Sequence, residues 1–160
     1  MGRATVISTE IQLTPEQHYR AACRWASEAM GRYESTQAAL RTIEPNKLYW
    51  YVNDSGALRV LKSFETVKAT AKQYRITYLG DTFIASRADL DQQGYGRSGW
   101  RDVAFGWYLK PFLEEQLSQQ ATYVARALQE AAGYQGTTPA EVRADILRQQ
   151  EEQRTALERM

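Results

Sequence analysis

All five lysines of the chain (Lys47, Lys62, Lys68, Lys72 and Lys110) and twelve of its eighteen aromatic residues fall between positions 47 and 110. This clustering constrains the fold more than any other feature. The island is rich in strand formers, whereas the lysine-free segments on either side follow helical periodicity. Rings concentrated on a small sheet either fill its core or, interleaved with basic residues, form a stacking surface for nucleic acid. Both uses stay open at the level of sequence.

The net charge of +1 hides an uneven distribution. Residues 1–46 balance five Arg against five Glu, residues 47–110 carry ten Lys and Arg against six Asp and Glu, and residues 111–160 carry five Arg against eight acids. A basic middle beside an acidic tail steers partners locally, although an excess this small is also what an ordinary solvated surface carries. With 160 residues, 43% of them apolar, the chain is long enough to bury a core and too apolar for disorder. Cys23 is the sole cysteine, which rules out an internal disulfide and points to a reducing compartment. Met1 to Leu13 lacks the continuous apolar run of a secretory signal, and no stretch approaches about 18 uncharged apolar residues. A soluble, cytoplasmic protein without a membrane partner is expected.

Arg3 to Leu13 alternates and is expected as a short edge strand or an extended arm. Thr14-Pro15-Glu16-Gln17 is a helix start, with Thr14 as N-cap, Pro15 at the first helical position and Gln17 closing a capping box. The helix should run to about Arg32 or Tyr33 on a stripe of Tyr19, Ala22, Cys23, Ala26, Met30 and Tyr33, weakened at its end by Gly31. A second short helix should cover Thr36 to Ile43 and stop at Pro45-Asn46. Leu48 to Val52 reads as a strand, Asn53 to Gly56 as a hairpin turn into Ala57 to Phe64, and Val67 to Leu79 as strand again. Leu79 to Thr82 is a turn, and Phe83 to Ala85 the last strand.

Val67, Ala69 and Ala71 share one parity and Tyr74, Ile76 and Tyr78 the other, so a bulge or a turn must fall near Lys72 or Gln73. Four or five antiparallel strands between about residues 47 and 87 are expected, as a small sheet or an SH3-like open barrel. Ala88 to Arg101, with Gly94, Gly96 and Gly99, reads as an irregular loop. A long helix from Asp102 to Gly133, interrupted at Pro111, should pack back on the sheet. Thr138-Pro139-Ala140-Glu141 opens a last helix whose stripe of Val142, Ile146 and Leu157 is too thin to seat it firmly. That helix should project, pair with a partner or fray, a homo-oligomer being one outcome. The expected architecture is α+β, a single domain over residues 1–136 with a helix appended over 137–160.

Catalytic and metal chemistry find little material. His18 and Cys23 are each unique and stand five apart, a spacing that neither assembles a metal ligand set nor makes a Cys-His dyad. Asp89 and Asp91, the nearest candidates for a carboxylate Mg²⁺ site, read as solvated loop acids. Glu114 and Glu115 point in different directions on a helix and cannot flank one bond. Gly94-Tyr95-Gly96 followed by Gly99 lacks the Lys-Ser/Thr and the preceding buried strand of a phosphate loop. No enzyme activity, cofactor or metal is expected, although a deep pocket gathering Arg, Glu and Tyr would reopen the question.

What remains is a surface. By the period of two, Lys68, Thr70 and Lys72 share one strand face opposite Val67, Ala69 and Ala71, and Arg75, Arg87, Arg97 and Arg101 could extend the row. Tyr49, Tyr51, Tyr74 and Trp100 are the candidate stacking rings, and Tyr95 joins the candidate surface from the loop, where it and Trp100 serve equally to pin the loop to the core. Outward lysines also protect strand edges from aggregation, and Tyr, Trp and Arg are the residues enriched at protein interfaces. The expected function is non-catalytic binding of another protein. A small His-poor chain of this style suits an accessory or inhibitor factor of a phage or other mobile element. The alternative is binding of single-stranded DNA or RNA on the Lys and aromatic strand face.

Overall fold

The computed structural model describes residues 12–160, so the strand or arm expected from Arg3 lies outside the described residues except for Gln12 and Leu13, which belong to no regular element. The elements run α1 (Pro15–Thr42), β1 (Leu48–Asp54), β2 (Ala57–Ser63), β3 (Thr66–Ala69), β4 (Gln73–Tyr78), β5 (Asp81–Ser86), α2 (Arg87–Gln93), β6 (Tyr95–Ser98), β7 (Arg101–Phe105), α3 (Gly106–Gln135) and α4 (Pro139–Glu158). The chain is α+β. It divides into two units, Met1–Met30 with Tyr123–Met160, and Gly31–Thr122; the boundary expected at residue 136 lies inside the first.

Among its described residues the first unit is helical. Its capping box forms as the sequence dictates: the Gln17 amide N–H donates to Thr14 Oγ1 at 3.2 Å, and the Thr14 N–H donates to Gln17 Oε1 at 2.9 Å. Thr138 caps α4 in the same way, its hydroxyl accepting from the Glu141 N–H at 3.2 Å. The Tyr19 hydroxyl donates to Asp145 at 2.9 Å, the His18 ring stacks on Tyr134 at 5.0 Å, and the Gln150 side chain reaches Ser27 at 2.9 Å. Val142 and Ile146 are buried within this unit, as are Cys23, Val124 and Leu128, while Leu157, the third residue of the expected stripe, is 70% exposed. The last turns of α4 are the part that stands free of the core.

In the second unit the strands form two small antiparallel sheets, one of the expected alternatives, and no closed barrel: a four-stranded sheet ordered β2-β1-β7-β6 and a three-stranded sheet ordered β3-β4-β5. The parity change at Lys72 is a turn, in which the Thr70 N–H donates to the Gln73 carbonyl at 2.8 Å. The bulge falls instead in the β1–β2 pairing at Trp50/Tyr51. Alternation along β1 and β7 sorts side chains into two cores. Tyr49, Tyr51 and Ala104 meet Ile43, Leu109 and Leu113 of the helical ends, whereas Leu48 and Val103 meet Ile76 and Ala85 of the second sheet, Phe64 and Leu90 of α2. The layers are thus helices, four-stranded sheet, three-stranded sheet.

Three expectations are corrected. The first helix and the run from Thr36 form one unbroken α1: Gly31 lowers helix propensity by about 1 kcal/mol, but Met30 and Thr36 are buried around it and no proline intervenes before Pro45. The loop expected over Ala88 to Arg101 is a helix followed by a hairpin. Ser86 caps α2, Gly94 ends it at φ 85 where a side chain would strike Trp107 and Tyr108, and Gly99 at φ 63 makes the two-residue turn of β6–β7. Gly94 and Gly99 are thus punctuation between short elements, while Gly96 lies inside β6 opposite Val103. Finally, the long helix starts at Gly106 rather than Asp102, because residues 102–105 pair with β1. A Cβ at Gly106 would lie 2.1 Å from the Glu44 carbonyl oxygen, and the closeness lets the Gly106 and Trp107 N–H groups donate to Lys47 and Pro45 carbonyls, both at 3.0 Å.

Candidate functional site

The two faces of each sheet scatter the residues that the sequence placed on one surface. In the three-stranded sheet Lys68, Arg75 and Ile84 stand in register across β3, β4 and β5, on the face turned away from Ile76, and form an exposed rung. Thr70 and Lys72 fall beyond β3, and the Thr70 hydroxyl is engaged with the Gln73 backbone at 3.1 Å. Lys68 and Arg75 face each other without an acid partner among the described residues, an arrangement that mildly destabilises the pair. No aromatic ring shares their rung.

Tyr74 and Arg87 face inward or along the sheet edge. The Tyr74 hydroxyl donates to the Asp91 carboxylate, Arg87 pairs with the same carboxylate at 3.1 Å and donates to the Thr70 carbonyl at 2.8 Å, and its guanidinium lies 5.7 Å from the Tyr74 ring centre. The Tyr74 hydrogen bond, assisted by Arg87, holds Asp91 below the usual carboxylate range. Burial, then Asp91, pushes the Tyr74 phenol up. These groups lock α2 to the sheet. Tyr95 and Arg97 lie on the opposite face of the four-stranded sheet. Tyr95 packs on Tyr108 at 4.8 Å, and Arg97 pairs with Asp102 at 3.2 Å.

Arg101 and Trp100 belong to a different arrangement, at one end of the layer between the sheets. The Arg101 guanidinium carbon lies 4.3 Å from the Phe83 ring centre, 4.5 Å from Trp100, 4.8 Å from Trp50 and 5.7 Å from Tyr78. Its Nε and Nη1 are buried and donate to no hydrogen-bond acceptor among the described residues, so ring faces take the place of a carboxylate in balancing the charge. Trp50 also holds Trp100 and Tyr78 edge-on, at 5.5 and 6.1 Å. Outside this plug, Trp100 is 69% exposed at the tip of the β6–β7 hairpin. At the neighbouring tip, next to Tyr78, Leu79 is 71% exposed and takes φ 50, a left-handed conformation in which Gly, Asn or Asp is usual.

The other end of the same layer is open. A cleft of about 570 Å³ is lined by Leu48, Phe64, Val67, Tyr74, Phe105 and Trp107, with Asn46, Lys47, Glu65 and Asp91 at its rim. A second, smaller cleft of about 260 Å³ lies between the β1–β2 hairpin and α3, walled by Tyr51, Tyr108 and Phe112. Burial, then Asp102 and the neighbouring tyrosines, pushes the Tyr51 phenol up to about 12. Sequence reasoning singled out none of Leu79, Phe64, Phe105 or Trp107. Leu79 alone carried a local signal, a bulky apolar residue beside Gly80 in a two-residue hairpin turn.

Among the described residues no three His, Cys, Asp or Glu side chains come together as a metal-binding set, and no helix is long and apolar enough to cross a membrane. Compared with protein-family models, curated proteins and solved structures, the chain matches none at a significant level.

Proposed function

We propose that this chain is a non-catalytic binding protein that docks another protein through the paired hairpin tips, with Leu79 and Trp100 as anchors. The observation that carries it is Leu79. A bulky apolar side chain left largely in solvent, at a backbone conformation that costs about 1–2 kcal/mol, is disfavoured twice over in the free molecule. Strain of this kind persists where function retains it. Trp100 stands beside it fixed by Trp50 and Arg101, so a partner meets a ring whose ordering entropy is already spent. Tryptophan is among the residues most enriched at binding hot spots.

The narrower reading, an inhibitor or accessory factor of a phage or mobile element, rests on composition and size alone; a cytoplasmic setting rests on the single buried thiol of Cys23. A photoreactive residue at position 100 or 79, compared with the same residue at Trp25, tests the proposal in cells that make the protein. Trp25 is also well exposed but lies in the helical unit. One dominant crosslinked protein from positions 79 and 100, absent from position 25, is the expected result. Equal labelling from all three positions counts against the site.

The nucleic-acid reading is favoured by one observation, the Lys68–Arg75 rung without acid partners among the described residues. It requires oligonucleotide affinity at low salt that falls as salt rises and is lost in Lys68→Glu/Arg75→Glu. Absence of affinity at low salt removes it.

A further inference from the structure

The open end of the sheet layer differs in charge from the plugged end. Around the cleft, the Lys47 ammonium is already met by Glu44 at 3.6 Å, and Asp91 by Arg87 at 3.1 Å and by the Tyr74 hydroxyl. Glu65 has no ion pair or hydrogen bond among the described residues. Every cation at the rim therefore has its acid, and one carboxylate is left over. The walls behind that carboxylate are aromatic: Tyr74 meets Phe105 edge-on at 5.7 Å, Phe105 lies nearly parallel to Trp107 at 6.4 Å, and the buried Phe64 also lines the cleft. Ring faces carry negative potential and attract cations that shed water easily.

These features select among ligand classes. An anion would meet an uncompensated carboxylate. A hard metal ion needs several oxygen ligands converging at short range, and the described residues gather no such set. An uncharged apolar molecule would leave Glu65 unused. A substituted ammonium group satisfies both halves of the cleft, its charge against Glu65 and its carbon substituents against the rings, and about 570 Å³ lies within the usual size of a small-molecule site. We propose that this cleft binds an organic ammonium group, with Glu65 as counter-charge and Trp107 and Phe105 as its walls. The same chemistry is offered by a free quaternary amine and by a lysine side chain, methylated or not, presented by a partner. The proposal is independent of the docking role assigned to Leu79 and Trp100, neither of which lines the cleft.

The test is a titration of the isotope-labelled full chain followed by the indole N–H resonances, with Trp107 assigned from a Trp107→Phe variant. The probes are tetramethylammonium and the amide of Nα-acetyl-trimethyllysine, with sodium chloride at matched ionic strength and benzoate as controls. Saturable shifts at Trp107 for the ammonium probes, with little change at Trp25, are expected. Glu65→Gln, at an exposed site whose loss should not disturb folding, weakens binding about threefold to fivefold, the size of a partly solvated ion contact. Tighter binding of the lysine derivative identifies a partner's side chain as the source, and tighter binding of tetramethylammonium a free amine. No saturable shift, an affinity unchanged in Glu65→Gln, or stronger binding of benzoate overturns the proposal.

Discussion

Arg101 shows how much depends on a single side chain. A guanidinium without a carboxylate is tolerable at the end of the sheet layer only because its planar face can lie against several rings at once. A lysine keeps the charge and loses the plane. Arg101→Lys is expected to lower the unfolding free energy by about 1–2 kcal/mol, measured by urea unfolding with tryptophan emission; an unchanged midpoint contradicts the plug. The sequence showed Arg101 as a cationic residue near tryptophan, but not its face. Side-chain direction in β6 and β7 follows from register, and register was hidden while the glycine-bearing segment read as a loop. For that reason the sequence groups Tyr95 and Arg97 with the nearby Trp100 and Arg101, although Tyr95 and Arg97 lie on the opposite side of the sheet from Arg101.

At the scale of elements, what was legible is what local chemistry decides. Both Thr-Pro helix starts form their caps, and Ser55-Gly56 turns the β1–β2 hairpin with both residues at positive φ, the geometry that suits strand twist. What was not legible needed tertiary partners: α2 depends on Leu90 reaching the core, and α3 begins where carbonyls from the turn after α1 receive its first N–H groups. The β4–β5 hairpin yields a prediction with two opposed consequences. Leu79→Asn relieves left-handed strain and removes an exposed apolar side chain, so the variant should gain about 1 kcal/mol of stability. Thermal unfolding reads the gain, and a loss of stability would mean that Leu79 is held by contacts within the fold.

For the whole molecule, buried phenols in both units make stability depend on alkaline pH. Burial raises Tyr19 in the helical unit, and Tyr51, Tyr74 and Tyr108 in the sheet unit, above the ordinary tyrosine value. A raised acid favours the folded state while it stays neutral. For Tyr51 this contribution is complete below the ordinary value of 10.0 and fades as pH climbs through about 12. Urea midpoints should hold steady up to about pH 10 and then fall, and Tyr51→Phe should flatten part of that fall; an identical alkaline profile in the variant contradicts the assignment. The α+β class followed from pattern alone, whereas the division into two units did not, because α1 and α3 each contribute residues to both and no linker marks the boundary.

The central claim is that strain and exposure at the hairpin tips are maintained for a partner. It is tested most directly by measuring the affinity of the crosslinked protein, once purified, for wild type and for Leu79→Asn/Trp100→Ser, with thermal unfolding of each recorded in parallel. The account predicts a folded double variant that binds at least about 30-fold more weakly, the loss expected from anchors worth 2 kcal/mol or more. Equal affinity in a folded double variant would contradict it.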